Sequence, residues 1–179
     1  MVSFLASSVG KWQLSRLFSK KERISEALNL SAMNTAILLF DIDTQKEYEC
    51  IVSFVKILKK EGLKSVEVVT YCSEKIVPAY IAQNEVRVIT KSEVNLFGFP
   101  NEKWNTQVLA NSYDLLIDCT QEIKMPTHYL LALIDAKTKV GKGGTENEYI
   151  FDLLIDQKEL ILEEYLKSVI HFLKMINKD

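Results

Sequence analysis

Thr35-Ala-Ile-Leu-Leu-Phe-Asp41 decides the fold. Successive side chains of a strand point to opposite faces, so an unbroken apolar run ending in an acid cannot be half-exposed. It reads as a strand buried on both sides, of the kind found in parallel sheets covered by helices. The period then changes. Tyr48, Ile51, Val52, Val55 and Leu58 share one face of a helix over residues 44–61, with Lys56, Lys59 and Lys60 outside it and Gly62 as its C-terminal cap. Ser65–Cys72 (SVEVVTYC) follows as a second strand, and the short connections suit a parallel βαβ unit.

The alternation continues outward. Val86–Thr90, Tyr113–Cys119, Lys137–Val140 and Tyr149–Ile155 read as strands. Asn101 caps a helix carrying Trp104, Val108 and Leu109, Pro126 stands in the first turn of another reaching about Asp135, and a closing helix runs from Lys158 to about Ile176. Asn95–Pro100 is a loop and Gly141–Thr145 a turn. The expected fold is a single doubly wound, Rossmann-like α/β domain over residues 31–179. Its mostly parallel sheet has five or six strands with helices on both faces, and a basic amphipathic helix over residues 1–30 precedes it.

Composition agrees. The 179 residues suit one domain, and 47% apolar with 26% charged residues excludes a disordered chain. No apolar run approaches the ~18 residues of a membrane span. The net charge of −2 does not imply a nucleic-acid partner, and no basic residues interleave with Tyr71, Phe97, Phe99 and Trp104, which read as core and loop anchors. Charge is uneven, however: residues 1–25 carry a net +4. Leu14, Leu17, Phe18, Ile24 and Leu28 share one helical arc, and Arg16, Lys20 and Arg23 another. This helix either packs on the domain with a solvated basic face or docks on an anionic membrane surface or an acidic protein partner. The first ten residues do not resemble a signal peptide, and three cysteines without paired spacing point to a reducing cytoplasm rather than a disulfide framework.

In such a sheet ligands sit at the carboxyl ends of the strands. Those ends place Asp41, Asp43 and Thr44 after the first strand and Asp118, Thr120 and Glu122 after the fourth, with Asn95 and Gly98 shaping the neighbouring loop. These are the candidate ligand-binding residues; none is assigned a catalytic or metal-binding role, and no cofactor is expected. So many carboxylates repel one another and disfavour a phosphate unless a cation intervenes. Asp41-Ile42-Asp43 resembles the paired acids of the haloacid dehalogenase phosphatases, which would make Asp41 a nucleophile, Asp43 a general acid and Thr70 a phosphate-binding hydroxyl beside Mg²⁺. The likeness departs at Gln45, where that family has Thr, and at Cys119, where a second acid is missing. The plainer reading is a strand end followed by a helix cap at Thr44. Gly141-Lys142-Gly143-Gly144-Thr145 lacks a following helix and reads as a turn rather than a phosphate loop. His128 and His171 lack partners at metal-ligand spacing and read as structural or surface residues.

The second half resembles a small α/β family of unknown function from Bacteroidota. The likeness rests on Glu93–Gly98 (EVNLFG), Tyr113–Ile117 (YDLLI), Ala136–Gly141 (AKTKVG) and Leu173–Lys178 (LKMINK). It implies an α/β fold and no activity. A more distant likeness, through Asp114–Asp118 and Ala136–Gly141, is to the acceptor half of heptosyltransferase-type glycosyltransferases, whose nucleotide-sugar half would not fit in 179 residues. The expectation is therefore a non-catalytic binding or interaction module. The alternative is an enzyme, glycosyltransferase-like or phosphatase-like, that uses the acidic edge.

Overall fold

A computed structural model describes residues 25–41, 44–74, 76–81, 86–122, 124–144, 148–156 and 161–176. Six strands form one open sheet: β1 (Thr35–Asp41), β2 (Ser65–Cys72), β3 (Val86–Thr90), β4 (Ser112–Asp118), β5 (Asp135–Lys142) and β6 (Leu153–Ile155). Their order is β3-β2-β1-β4-β5-β6 and every neighbouring pair is parallel, which is the Rossmann-type arrangement. The helices are α1 (Gln45–Lys60), α2 (Glu102–Trp104, continuing as a π turn over Asn105–Leu109), α3 (Met125–Leu133) and α4 (Leu162–Met175). Among the described residues no helix is long and apolar enough to cross a membrane.

β1 lies at the centre, and Ala36, Ile37, Leu38, Leu39 and Phe40 are wholly excluded from solvent. On one face Ala36, Leu38 and Phe40 pack with Tyr48, Ile51, Phe54 and Leu58 of α1 and with Tyr165, Leu166 and Val169 of α4. On the other, Ile37 and Leu39 pack with Trp104 of α2, Val108 of its π turn, and Leu130 and Leu131 of α3. Lys139, buried among these apolar groups, donates from Nζ to the Leu131 carbonyl at 2.8 Å. That contact satisfies an oxygen near the C-terminus of α3, where a positive charge is favoured.

Four sequence expectations are corrected. The strand expected over Tyr149–Ile155 is only Leu153–Ile155, preceded by a 3₁₀ turn at Glu148–Ile150. Asp152 explains the break: its carboxylate accepts the Lys139 N–H at 2.7 Å, and its own N–H donates to the Lys139 carbonyl at 2.8 Å. β5 in turn runs to Lys142, so Gly141 is a strand residue and not part of a turn, with the Phe151 ring lying where its side chain would be. The helix expected to follow Asn101 is one α turn running into a π turn. At the N-terminus the expected helix over residues 1–24 lies outside the described residues, but Ser25–Asn29 are not helical. They run along β5 instead, with the Glu26 N–H donating to the Lys137 carbonyl and the Leu28 N–H to Thr138 Oγ1.

A Cβ on Gly141 would lie 2.5 Å from the Phe151 ring. Gly141→Ala is expected to cost about 1–3 kcal/mol in urea denaturation. In a Phe151→Ala background the same substitution should cost little, because the obstructing ring is gone.

Candidate functional site

The sheet order reverses between β1 and β4. β1 leads into α1 on one face and β4 towards α3 on the other, which leaves a crevice outside their carboxyl ends. Asp41 ends β1 and Asp118 ends β4. Leu39 pairs with Asp118, so both acids lie on the face that α3 covers. Asp41 is buried, its carboxylate 3.8 Å from Lys124 Nζ at the N-cap of α3. Oδ1 of Asp118 accepts the Thr120 N–H at 3.0 Å and the Thr120 hydroxyl at 2.8 Å, closing a small turn.

Pro126 starts α3 above this crevice and brings His128 under cover. Burial holds the His128 imidazole below its ordinary value, and the charge of Asp118 opposes that effect. Burial likewise pushes the Asp118 carboxyl up, against the hydrogen bonds from Thr120 and the charges of His128 and Lys142. From β5, Lys142 Nζ donates to the Thr120 carbonyl at 2.9 Å and to Gln121 Oε1 at 3.3 Å, and lies 5.1 Å from the Tyr165 ring centre. Tyr165 of α4 donates its hydroxyl to the Asp118 carbonyl at 2.9 Å. The edge expected to be anionic is therefore offset by Lys124 and Lys142.

The other sequence candidates are placed as follows. Thr44 caps α1: its hydroxyl accepts the Glu47 N–H at 3.2 Å, while the Glu47 carboxylate accepts from Thr44 N at 3.0 Å and Oγ1 at 2.9 Å. Asn95 Oδ1 accepts the N–H groups of Phe97 and Phe99 at 2.9 and 3.1 Å and so folds its own loop. Gly98 adopts a φ of 84° with Met125 close behind it, so only glycine fits there. Glu122 is exposed, and Asp43 lies outside the described residues. Thr70 pairs with Phe40 and so faces α1, away from Asp41 and Asp118. His171 is exposed. Among the described residues no three His, Cys, Asp or Glu side chains gather to hold a metal ion.

Sequence reasoning missed Lys124, Lys142 and Tyr165, and undervalued His128. One signal was available: Pro126 marks a helix start beyond β4, so residues 124–128 had to lie over the strand ends. Lys142 was hidden by the reading of Gly141–Thr145 as a turn.

A groove of about 480 Å³ runs between α1 and α4, floored by Cys50, Phe54, Ile57, Leu166 and Ile170. A second hollow of about 310 Å³ shares Lys46, Cys50 and Glu163 with it and extends to Thr44, Gln121 and Ile161 at the sheet's carboxyl rim.

Thr44→Ala is expected to lower stability by about 1 kcal/mol in denaturant unfolding, with Thr44→Ser nearly neutral, as for a cap. The pH dependence separates the buried pair. His128, lowered on folding, contributes stability that is present above its ordinary 6.5 and lost as pH falls through its folded value. Asp118, raised on folding, acts oppositely: its contribution is full below its ordinary 3.8 and is lost as pH rises through its folded value. Melts from pH 7 to about 5 should therefore show less acid loss for His128→Gln than for the wild type, and more for Asp118→Asn.

Residues 7–176 match a family described as a family of unknown function (DUF6913). A comparison with curated proteins finds no match.

Proposed function

The chain belongs to that family of unknown function, and we propose that it is a non-catalytic binding module whose groove between α1 and α4 takes an amphipathic helical segment of a protein partner. The observation that carries this reading is the pair of contiguous cavities along the two helices. The larger has an apolar floor and a rim of mixed sign, with Lys46 and Glu49 on one helix and Glu163 and Lys167 on the other. Cys50 stands where the two cavities meet. The carboxyl edge supports the non-catalytic part of the reading. Asp118, Thr120 and Lys142 bind one another's loops, Thr44 is held in a helix cap, and Thr70 lies across the sheet from the acids it would need for phosphatase-like chemistry. Three free cysteines, Cys50 and Cys72 half-buried and Cys119 buried, are consistent with a reducing bacterial cytoplasm.

A second reading is favoured by the strand order and by Asp41 and Asp118, which end neighbouring strands at its reversal point: an enzyme, glycosyltransferase-like or phosphatase-like, that uses the acidic edge. The two readings predict different titrations. As bait in native lysate, Cys50→Trp, which fills the groove, should lose the protein retained by the wild type while keeping its melting temperature within a few degrees. Retention of the same protein by both baits overturns the groove reading. Nucleotides and nucleotide sugars with Mg²⁺ should leave the wild-type melting temperature unchanged. Stabilisation approaching ~2.7 kcal/mol at about 100 times Kd would instead establish the second reading.

A further inference from the structure

The stripe that α1 turns towards the groove is Lys46, Cys50, Ser53 and Ile57. At 100° per residue Lys60 continues it, with Lys56 on its outer side. The stripe of α4 is Glu163, Lys167 and Ile170, and Lys174 continues that one. Both helices begin at the second hollow, which is lined by Thr44, the cap of α1, and Ile161, the cap of α4. They therefore run the same way along the groove, from the sheet's carboxyl rim to a far end where Lys174 and Glu61 pair at 2.7 Å.

The two ends differ in charge. At the rim end Lys46 and Glu49 stand against Glu163 and Lys167, so the signs balance, and Glu163 pairs with Lys167 at 2.6 Å. At the far end Lys174 takes up Glu61, whereas Lys56 and Lys60 are exposed and pair with no acid among the described residues. That end carries surplus positive charge and favours an occupant's acids. Where those acids stand on an occupant helix depends on its direction. Antiparallel to α1 and α4, the helix brings its first turn to the lysines, and its own dipole favours acids there. In a parallel helix the same acids fall in the last turn, which its dipole disfavours. Its positive end would also meet those of α1 and α4 at the rim.

We propose that the occupant is an acidic amphipathic helix running antiparallel to α1 and α4, with carboxylates in its first turn over Lys56 and Lys60. This inference rests on the groove reading above and adds the partner's charge and direction to it. From Lys46 to Lys60 the stripe covers ~21 Å, room for about four turns of occupant. Apolar side chains at i, i+3, i+4 and i+7 meet Cys50, Phe54, Leu166 and Ile170, and the carboxyl end lies over the two helix starts at the rim.

A displayed library of helical peptides, with a fixed apolar stripe and randomised first and last turns, tests it on the full chain. Binders are selected on the wild type and kept where Cys50→Trp abolishes binding. They should carry Asp or Glu in the first turn. A nitroxide on that turn should broaden the amide signals of Ile57 and Lys60 rather than those of Lys46 and Glu163. Lys56→Glu/Lys60→Glu, which should melt with the wild type, should weaken these peptides about tenfold or more. Groove binders without first-turn acids, with the label nearer Lys46, or indifferent to the lysine reversal overturn the proposal and leave the groove reading standing. If no selected peptide depends on Cys50, both fall together.

Discussion

Ala36 to Phe40 expose nothing to solvent, and this two-sided burial of one strand governs what surrounds it. A strand with apolar groups on both faces must be covered on both, and each large side chain withdrawn from water contributes roughly 1.5–3 kcal/mol. Covering both faces of a parallel sheet means that every connection crosses over it, so the loops leaving the strands gather on one rim. The chain winds one way from β1 through α1 to β2 and the other way from β4 through α3 to β5. That Asp41 and Asp118 end neighbouring strands at one rim follows from that reversal.

At this rim the polar groups serve the fold. A carboxylate removed from water must find donors or give up its charge, and Asp118 takes the Thr120 N–H and hydroxyl. Lys142 crosses from β5 to hold the Thr120 carbonyl, and Tyr165 reaches over from α4 to the Asp118 carbonyl. These bonds tie β4, β5 and α4 together at the end of the sheet. A groove with an apolar floor lies on the other face, between α1 and α4.

The two exposed surfaces of α4 differ in character. One borders a groove with charges of both signs; the other exposes Phe172 and Met175. A helix in this position is buried along one ridge only, so its flanks are free to meet other chain. The first flank is concave and suits a foreign helix.

Local pattern alone determined a great deal. The unbroken apolar run Thr35–Asp41 and the change of period after it dictated a covered parallel sheet, because backbone geometry ties alternation and helical spacing to burial. Thr44 as a helix cap and Pro126 as a helix start were likewise readable, since both act on neighbours within a few residues. Long-range contacts decided the rest. Gly141 is a strand residue because the Phe151 ring occupies its missing side chain, and Asp152 interrupts the last apolar run by pairing with Lys139 across the sheet. Lys124, Lys142, His128 and Tyr165 converge on two acids from three elements far apart in the chain, and no spacing in the sequence encodes an encounter that the winding of the sheet alone brings about.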